Sequence, residues 1–463
     1  MLYNKLTQEL SDQSLFRKAK EHALEYLSSS NVCDVFPSKE SQQNLDVFDE
    51  NMPAKGSPAH EILDLLYKNG SPNTTRLNGG RYFGFVNGGI TPAALASKWL
   101  ADAWDQNAAM EIMSPICGKL ERVVERWLQE LFGFSHDTSA GFVTGSSGAT
   151  YCGLIAARYH MYHKLGYDIN KEGMCGAEQL RIVTSAETHS SVKRALAMLG
   201  FGYDHIEFID TDEQGRMMVS PLPTLDNMTI VILQAGNVNS GSFDPIDEIC
   251  DLANAAGAWV HIDGAFGLWA GATQRFTHLT RGMHKADSWC VDGHKTLNTP
   301  YDCGIVMCKH RQSMLSSLHA SGAYLVRDKE RDGMFYTPDM SRRARIIDLW
   351  STLKSLGKAG VEELIGGLHD RAVQFSKEIR DHDFEVLNDV VFNQVVVSYK
   401  SDEMIDRILS HVQEQRICWC GGSVWKGRRV IRISVCAWST TQEDISKTVA
   451  SFQRAKDKCL KLS

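Results

Sequence analysis

Two predicted strand ends carry a charged side chain in otherwise apolar surroundings. Residues 260–267 place Asp263 at the end of one apolar run, and residues 291–298 place Lys295 just beyond another. A buried aspartate is costly without a hydrogen-bonded or cationic partner. Desolvation lowers the pKa of a lysine and makes its free amine nucleophilic, which Schiff-base chemistry requires. A lone lysine is more commonly a surface charge, so the interpretation of this pair depends on the segments around it.

Three further segments offer groups that could hold a ligand. The small-residue turn 144–150 opens a helical run, and the free amides of a helix start, together with Ser146 and Ser147, could bind a phosphate. His189 follows a predicted strand and could present its ring to a flat ligand, while Asn237 lies in a turn-rich segment after another strand. Taken singly, a capped loop, a structural histidine and an ordinary turn are the simpler explanations.

Together the five segments describe one ligand. A phosphate cradle, a stacking ring, a side-chain donor, a buried acid and a Schiff-base lysine are the parts needed to hold pyridoxal 5′-phosphate and to tune its electronics. The sequence has no GxxxxGK[ST] loop, HExxH pair or CxxC…CxxC array, which disfavours P-loop nucleotide hydrolysis, zincin proteolysis and zinc-ribbon binding. No metal site is predicted, and Cys418-Trp419-Cys420 is interpreted as structural.

With these segments the sequence resembles the group II pyridoxal-phosphate-dependent amino-acid decarboxylases, which include the aromatic-amino-acid and glutamate decarboxylases. The resemblance covers roughly residues 75–455. Its most specific stretch is Asp292-Gly293-His294-Lys295, followed by Pro300-Tyr301-Asp302-Cys303-Gly304. The other segments that carry it are 81–89, Ser114-Pro115 with Leu120-Glu121, the His189 segment, 261–265, 341–345 and Arg432-Ile433-Ser434.

The resemblance implies a role for each residue of the predicted site. Lys295 would form the internal aldimine, and Asp263 would pair with the pyridinium nitrogen. The other expected cofactor contacts are His189 on the ring face, Ser146, Ser147 and His294 on the phosphate, Asn237 on the ring hydroxyl, and Ala265. The implied reaction is decarboxylation of an L-amino acid to its amine through a quinonoid intermediate, with Lys295, Asp263 and His189 as catalytic residues.

The family protonates that intermediate with a tyrosine on a loop, which corresponds here to residues 322–339. Tyr336 is the predicted donor, and Tyr324 is the second choice. Relatives that lack the tyrosine can divert the intermediate towards oxidation to an aldehyde. Asn87 and Asn107 are predicted to face the substrate, but the residues around them match neither an aromatic slot nor a dicarboxylate clamp. The substrate amino acid therefore stays open.

Two positions depart from the family pattern. Gly148 stands where the family commonly has an acidic or polar residue, and Thr296 stands where it often has tryptophan. Carbon–carbon lysis, aldehyde synthesis and transamination therefore remain alternatives, because the site and not the fold decides which bond breaks. A non-catalytic cofactor-binding or partner-binding protein is a further alternative, which the presence of both Lys295 and Asp263 disfavours.

The elements that would position these residues alternate between strands and helices. Between about 140 and 310, short β-rich runs are interrupted by helical or loop stretches, which favours a sheet between helices. Further on, 390–399 and 428–435 are predicted strands of a smaller sheet, followed by an amphipathic helix over 441–460. The predicted strands of the larger sheet are 181–185, 229–233, 258–263, 288–292 and 304–308.

The resemblance implies an aspartate-aminotransferase-type α/β fold. This fold has a mostly parallel seven-stranded sheet flanked by helices and a small carboxy-terminal α+β domain. The predicted divisions are an arm over 1–78, a large pyridoxal-phosphate-binding domain over 79–345 and a small domain over 346–463. Family members are homodimers with the active site at the interface, so the arm is expected to wrap a partner subunit.

The composition disfavours other classes of partner. The 463 residues carry 49 basic and 56 acidic side chains, for a net charge of −7, and the longest basic cluster is Arg342-Arg343-Ala344-Arg345. This balance disfavours nucleic acids. No apolar run approaches the roughly 20 residues of a membrane span, and the amino terminus shows no secretory signal. Twelve cysteines are too dilute for a disulfide scaffold, so a cytoplasmic protein is predicted.

Overall fold

The structure contains two sheets, and the larger one carries the predicted site residues. It is a computed structural model that describes residues 2–318 and 331–461. The strands are β1 (Ser139–Val143), β2 (Arg181–Ser185), β3 (Ile206–Ile209), β4 (Thr229–Gln234), β5 (Trp259–Asp263), β6 (Ser288–Asp292), β7 (Gly304–Cys308), β8 (Glu385–Val386), β9 (Gln394–Ser398), β10 (Gly421–Trp425) and β11 (Arg428–Ser434).

Helices flank the larger sheet and continue into both ends of the chain. They are α1 (Leu2–Ser11), α2 (Gln13–Ser29), α3 (Lys39–Gln43), α4 (Ala59–Leu65), α5 (Pro92–Trp104), α6 (Pro115–Phe132), α7 (Ser146–Lys164), α8 (Ile169–Glu172), α9 (Ser190–Met198), α10 (Ile246–Ala256), α11 (Arg311–Ser317), α12 (Ile346–Arg380), α13 (Asp402–Glu414) and α14 (Gln442–Lys461).

The larger sheet has the order β1-β7-β6-β5-β4-β2-β3. Strands β6, β5, β4, β2 and β3 are parallel to one another. Strand β7 pairs antiparallel with both β6 and β1. Every residue of β4 and β5 is buried, because helices cover both faces of a parallel sheet. The predicted mostly parallel seven-stranded sheet is confirmed.

The smaller sheet has the order β10-β11-β9-β8, and all of its strand pairs are antiparallel. It packs against α12, α13 and α14, which makes the predicted small α+β domain. Helix α12 links the two cores: Leu349 and Leu353 pack in the core of the large sheet, and Leu368 and Phe375 pack in the core of the small one. The helix is kinked between them at Gly357, where φ is 61°.

The segment before α5 forms backbone hydrogen bonds with the small domain. Phe83 N donates to the carbonyl of Trp419 at 2.8 Å, and Ser434 N donates to the carbonyl of Phe83 at 3.0 Å. Phe83 is also fully buried in the core of the small domain. The divisions between arm, large domain and small domain at residues 78/79 and 345/346 stay predictions; the long helix α12 begins at Ile346.

Within the ranges 2–318 and 331–461, no helix combines the length and the apolar character needed to cross a membrane.

Candidate active site

The predicted residues meet at the carboxyl ends of the parallel strands. Asp263 ends β5, Asp292 ends β6, His189 lies shortly after β2, and Lys295 lies shortly after β6. The charges of Asp263 and Lys295 both act on the pKa of His189, so the three side chains lie near one another. The ends of parallel strands meet at one edge of the sheet, which brings residues from distant parts of the sequence together.

Lys295 forms an ion pair with Asp292. Its Nζ lies 2.9 Å from Asp292 Oδ2, and the Asp292 side chain is 1% exposed. Burial lowers the pKa of Lys295, but the charge and the hydrogen bond of Asp292 outweigh burial, so the pKa is raised above its usual 10.5. The expectation that desolvation leaves a free amine is therefore wrong here: the amine is charged and paired with Asp292.

Asp292 also binds the first amide of α7. Ser146 N donates to Asp292 Oδ1 at 2.5 Å, and Gly145 at the N-cap has no side chain that could compete. Ser146 is half-buried and Ser147 is exposed, so both hydroxyls are open to a ligand. The next amides of the helix start have no partner inside the helix and can receive an anion.

Two glycines allow the backbone to pack closely around this turn. A Cβ at Gly304 would lie 2.4 Å from backbone atoms of Gly145, and a Cβ at Gly88 would lie 2.1 Å from the carbonyl oxygen of Lys295. Real Cβ atoms do not approach that closely. The absence of a side chain at these positions therefore fixes where the start of α7 and the Lys295 backbone lie.

The Asp263 carboxylate is held through one of its oxygens. Asp263 Oδ1 accepts from Cys290 Sγ at 3.3 Å and from Ala265 N at 3.2 Å. Among the described residues, no donor reaches Oδ2. Asp263 is 7% exposed, so the free oxygen lies in a buried site. Such an oxygen can accept a hydrogen bond from a protonated ring nitrogen.

His189 is the N-cap of α9. Its Nδ1 accepts from Ser191 N at 3.2 Å, which places the proton of the neutral ring on Nε2. Burial lowers the pKa of His189, the Asp263 charge raises it, and the charges of Lys295 and Arg432 lower it further. The net pKa is lowered, so the ring is neutral at pH 7 and can lie against a cationic ring without repulsion.

His294 lies beside the start of α7. Its Nδ1 accepts from Cys303 N at 3.1 Å, and its ring stacks on Tyr301 with 4.3 Å between the centroids. Its Nε2 lies 3.6 Å from Asp292 Oδ2, and burial lowers its pKa. The ring is thus fixed on one edge and directs its other nitrogen towards the region where a phosphate is predicted.

Buried polar atoms without partners show that the pocket is suited to a ligand. Thr188 Oγ1, Gln234 Nε2 and Asn237 Nδ2 are buried and make no hydrogen bond in the described part of the chain. They follow or end β2 and β4, and such unsatisfied groups are rare in folded proteins. Together with Lys295, the free oxygen of Asp263 and the open helix start, they fit a ligand with an aldehyde, a ring nitrogen, a ring hydroxyl and a phosphate. Pyridoxal 5′-phosphate has these groups.

Tyr336, the predicted proton donor, lies in a different environment. Its hydroxyl accepts from Arg311 Nη1 at 2.8 Å, and Arg331 lies 4.0 Å above its ring centroid. Both arginines pair with the buried Glu125. No contact in the described ranges joins Tyr336 to Lys295, so its role stays a prediction. Tyr324 lies outside the described residues.

The two predicted substrate residues bind protein groups. Asn87 Oδ1 accepts from the Tyr301 hydroxyl at 2.7 Å, at the side of the His294 ring. Asn107 Oδ1 accepts from Ala109 N at 3.1 Å and from Arg342 N at 3.3 Å. Asn87 therefore borders the site, whereas the carbonyl of Asn107 is used to join two backbone segments. Neither contact tests a role in substrate binding.

Sequence reasoning did not assign functions to two residues of the site. Asp292 was part of a recognised segment, but its contacts with α7 and Lys295 depend on the fold. Arg432, on β11 of the small domain, is half-buried, and its side chain makes no hydrogen bond or ion pair with any residue that the structure describes. Its charge lowers the pKa of His189, so the small domain brings it near that ring. No local sequence signal places a residue of β11 beside one that follows β2.

Comparisons with known proteins agree with this geometry. A family model described as the pyridoxal-dependent decarboxylase conserved domain matches residues 41–400. Acidic amino acid decarboxylase GADL1 of Homo sapiens is 28% identical over 367 residues, which cover 76% of this chain and 68% of that protein. An aromatic-L-amino-acid decarboxylase of Bacillus atrophaeus is 27% identical over 423 residues, which cover 85% of each chain.

Solved structures share the fold at lower identity. TDC of Oryza sativa, crystallised with PLP and tryptamine, has a TM-score of 0.88 and 21% identity, covering 96% of this chain and 97% of that chain. Mouse CSAD has a TM-score of 0.86 and 20% identity, covering 96% and 99%. The predicted fold class is confirmed. The family match spans most of the sequence and the site fits the cofactor, so the chain belongs to the pyridoxal-dependent decarboxylase family and is a pyridoxal-phosphate-dependent carboxy-lyase.

Proposed function

We propose that the protein decarboxylates an L-amino acid and releases the corresponding amine. The observation that supports this reaction is the convergence of Lys295, Asp263 and His189 at one edge of the sheet, with the open start of α7 beside them. A lysine oriented by an ion pair, a buried carboxylate with one free oxygen and a neutral ring are groups that suit this reaction. When bound, pyridoxal 5′-phosphate supplies an electron sink for the pair of electrons left behind as carbon dioxide departs.

Each residue of the chain has a distinct task in this proposal. Lys295 holds the cofactor, and Asp292, which lies 2.9 Å away, orients its side chain. Asp263 accepts a hydrogen bond from the ring nitrogen and so stabilises its protonated form. His189 lies against the ring, while Ser146, Ser147 and His294 bind the phosphate. Asn237 would donate Nδ2 to the ring hydroxyl, a role supported by the absence of a partner for that buried atom in the described part of the protein.

Arg432 supports a narrower proposal about the substrate. An arginine that bound the departing carboxylate would stabilise the substrate more than the transition state and would slow the reaction. A second acidic group on the substrate is a better partner, because that group keeps its charge throughout. We infer that the preferred substrate has an acidic side chain, which Arg432 binds from the small domain.

The first test measures the products released from a panel of L-amino acids. Carbon dioxide should be released in amounts equal to the amine formed, and Lys295→Ala should lose both the turnover and the yellow colour of the loaded protein. Borohydride reduction followed by mass spectrometry should locate the cofactor on Lys295. Hydrogen peroxide with ammonia would instead identify an aldehyde synthase, a keto acid would identify an aminotransferase, and an aldehyde without peroxide would identify a carbon–carbon lyase.

The substrate proposal has its own test. Glutamate and aspartate should be decarboxylated with a higher kcat/KM than glutamine and asparagine. Arg432→Met should lower kcat/KM for the acidic substrates on the order of 10- to 100-fold, the usual effect of removing a hydrogen-bonded ion pair. The amide substrates should be affected much less. A wild-type preference for aromatic or amide substrates would refute the role of Arg432 and leave decarboxylation itself untouched.

We also propose that the active form is a homodimer. Helix α1 buries none of its residues, and Leu2, Leu6 and Leu10 on one of its faces are each more than half exposed. Near the site, Phe85, Ile112 and Trp104 are also exposed. Large apolar side chains gathered in this way are typical of an interface with another chain. A second copy would cover both the arm and the mouth of the site.

A further inference from the structure

A short chain of hydrogen bonds supports the Asp263 carboxylate from behind. Thr150 Oγ1, on α7, donates to Cys290 Sγ at 3.2 Å, and Cys290 Sγ donates to Asp263 Oδ1 at 3.3 Å. Cys290 lies opposite Asp263 in the register of β5 and β6, so the two side chains lie on the same face of the sheet. Thr150 and Cys290 are at most 1% exposed, so water does not replace these contacts.

The direction of the bonds follows from the chemistry of the groups. The carboxylate can only accept, so the thiol hydrogen points at Asp263 and the sulfur lone pair receives the Thr150 hydroxyl. Burial raises the pKa of Cys290 well above its usual value, and the charge of Asp263 raises it further, so the thiol keeps its hydrogen. Ala265 N is the other donor to Oδ1. With Oδ1 held by two donors, Oδ2 is the oxygen left for a ligand.

We propose that Cys290 is a positioning residue for the reaction: its S–H, aligned by Thr150, fixes the Asp263 carboxylate so that Oδ2 meets the ring nitrogen of the cofactor. This inference rests on the proposed role of Asp263. Cys290 touches neither substrate nor cofactor in this scheme. Its effect should therefore depend on whether the bound ring has a nitrogen for Asp263 to bind.

The test compares the affinity of the full-length protein, stripped of cofactor, for two ligands. One is pyridoxal 5′-phosphate, and the other is its 1-deaza analogue, in which a C–H group replaces the ring nitrogen. The dissociation constants can be measured by titration calorimetry, without any turnover. Cys290→Ala should weaken binding of pyridoxal 5′-phosphate about 5-fold, as expected for losing a weak donor to a charged acceptor, and should leave the analogue unchanged.

Matched variants separate the hydrogen bond from packing. Cys290→Ser keeps a donor of similar size and should restore most of the affinity. Thr150→Val keeps the shape of the side chain, removes the hydroxyl and should weaken only pyridoxal 5′-phosphate, about 2-fold. Cys152→Ala removes a fully buried thiol on α7 that is not part of this chain of hydrogen bonds. It should change neither dissociation constant. Circular dichroism checks that each variant is folded, and Thr150→Val tests the inference should Cys290→Ala be unstable.

The possible failures can be told apart. Equal weakening of both ligands by Cys290→Ala, no weakening at all, or no recovery in Cys290→Ser would each overturn the role of Cys290. A wild-type protein that binds the two ligands equally well would overturn the proposed role of Asp263 itself. If the wild type prefers pyridoxal 5′-phosphate to the analogue and Asp263→Asn loses that preference, the role of Asp263 is supported. That result does not depend on how the Cys290 variants behave.

Discussion

At the scale of single residues, Asp292 controls the state of the reactive lysine. Its buried carboxylate contacts both the Lys295 ammonium and the first amide of α7, and it keeps the pKa of the lysine raised although burial acts in the opposite direction. The amine needed to capture an aldehyde is the neutral form, whereas Asp292 favours the charged form. Capture of the cofactor should therefore depend on pH.

Replacing Asp292 should shift that dependence in a defined direction. Neutral Lys295 becomes more abundant as pH rises towards its raised pKa. Asp292→Asn removes the attraction and leaves burial, which lowers the pKa, so the capture rate should reach its plateau at a pH lower by about 1 unit or more. Stopped-flow absorbance at several pH values measures this rate.

The control for this prediction removes an exposed aspartate instead. Asp251→Asn loses a contact between Asp251 and Lys285 on the surface and should leave the pH profile unchanged. An unshifted profile in Asp292→Asn would contradict the assignment of Asp292 as the group that raises the pKa of Lys295.

The residues that the sequence could predict are those with a recognisable local setting. Asp263 and Lys295 each interrupt an apolar run, and the parallel sheet brings them to one edge as expected. Arg432 and Cys290 have no such signal, because their roles depend on contacts between β11 and α9 or between neighbouring strands. The predicted free amine of Lys295 was wrong because a single buried carboxylate outweighs desolvation.

At the scale of elements, the position of the α7 start depends on the close approach of two glycines. Strand β7 begins at Gly304, directly beside Gly145 at the N-cap of α7. The helix start is the predicted phosphate site. A substitution that moves it should therefore weaken cofactor binding more than it destabilises the fold. The antiparallel β7 therefore contributes to the site without supplying a side chain.

A methyl group at this position should disturb both stability and binding. Gly304→Ala places a Cβ about 2.4 Å from Gly145 backbone atoms, so the chain must shift, at a cost of about 2 kcal/mol or more in the free energy of unfolding. The dissociation constant of pyridoxal 5′-phosphate should rise as well. Chemical denaturation and calorimetric titration measure the two effects.

Gly367 provides the matched control. It lies within α12, and a Cβ there would meet nothing within 4 Å. Gly367→Ala should therefore stabilise the protein by about 0.5–1 kcal/mol through helix propensity and leave cofactor binding alone. Equal effects of the two substitutions would show that the contact between Gly304 and Gly145 is not restrictive.

The strands that the sequence failed to predict have weak local signals. Strand β1 consists largely of small residues, and its antiparallel pairing with β7 places it at an edge of the sheet. Strand β10 begins with two glycines, which favour turns. The five predicted strands of the large sheet are present, since they are apolar and are buried by helices. Strands β1 and β10 form because of tertiary packing, which the local sequence does not reveal.

At the scale of the whole molecule, the arm leaves an apolar surface without a partner in one chain. Leu6 and Leu10 lie on the same face of α1 and are more than half exposed. If this face packs on a second copy, charging it should break the dimer. Leu6→Glu with Leu10→Glu should raise the dimer dissociation constant by at least about 100-fold, because two buried leucines are lost and two charges would be buried. Sedimentation equilibrium measures this constant.

The opposite face of α1 provides the comparison. Asn4→Glu with Gln8→Glu adds the same charge there and should leave a dimer. A wild-type protein that is monomeric and fully active would contradict the dimer proposal. Identical behaviour of the two double variants would show instead that the apolar face of α1 does not contribute to association.

The kink in α12 lies between the two domains that contribute residues to the site. The first part of the helix packs in the core of the large sheet. The last part packs in the core of the small domain, whose strand β11 includes Arg432. At Gly357 between them the backbone turns with φ at 61°, and a side chain there would touch nothing. A change of a few degrees at this one residue would move the arginine towards or away from the lysine. The bend therefore lies between the domain that carries Lys295 and the domain that carries Arg432.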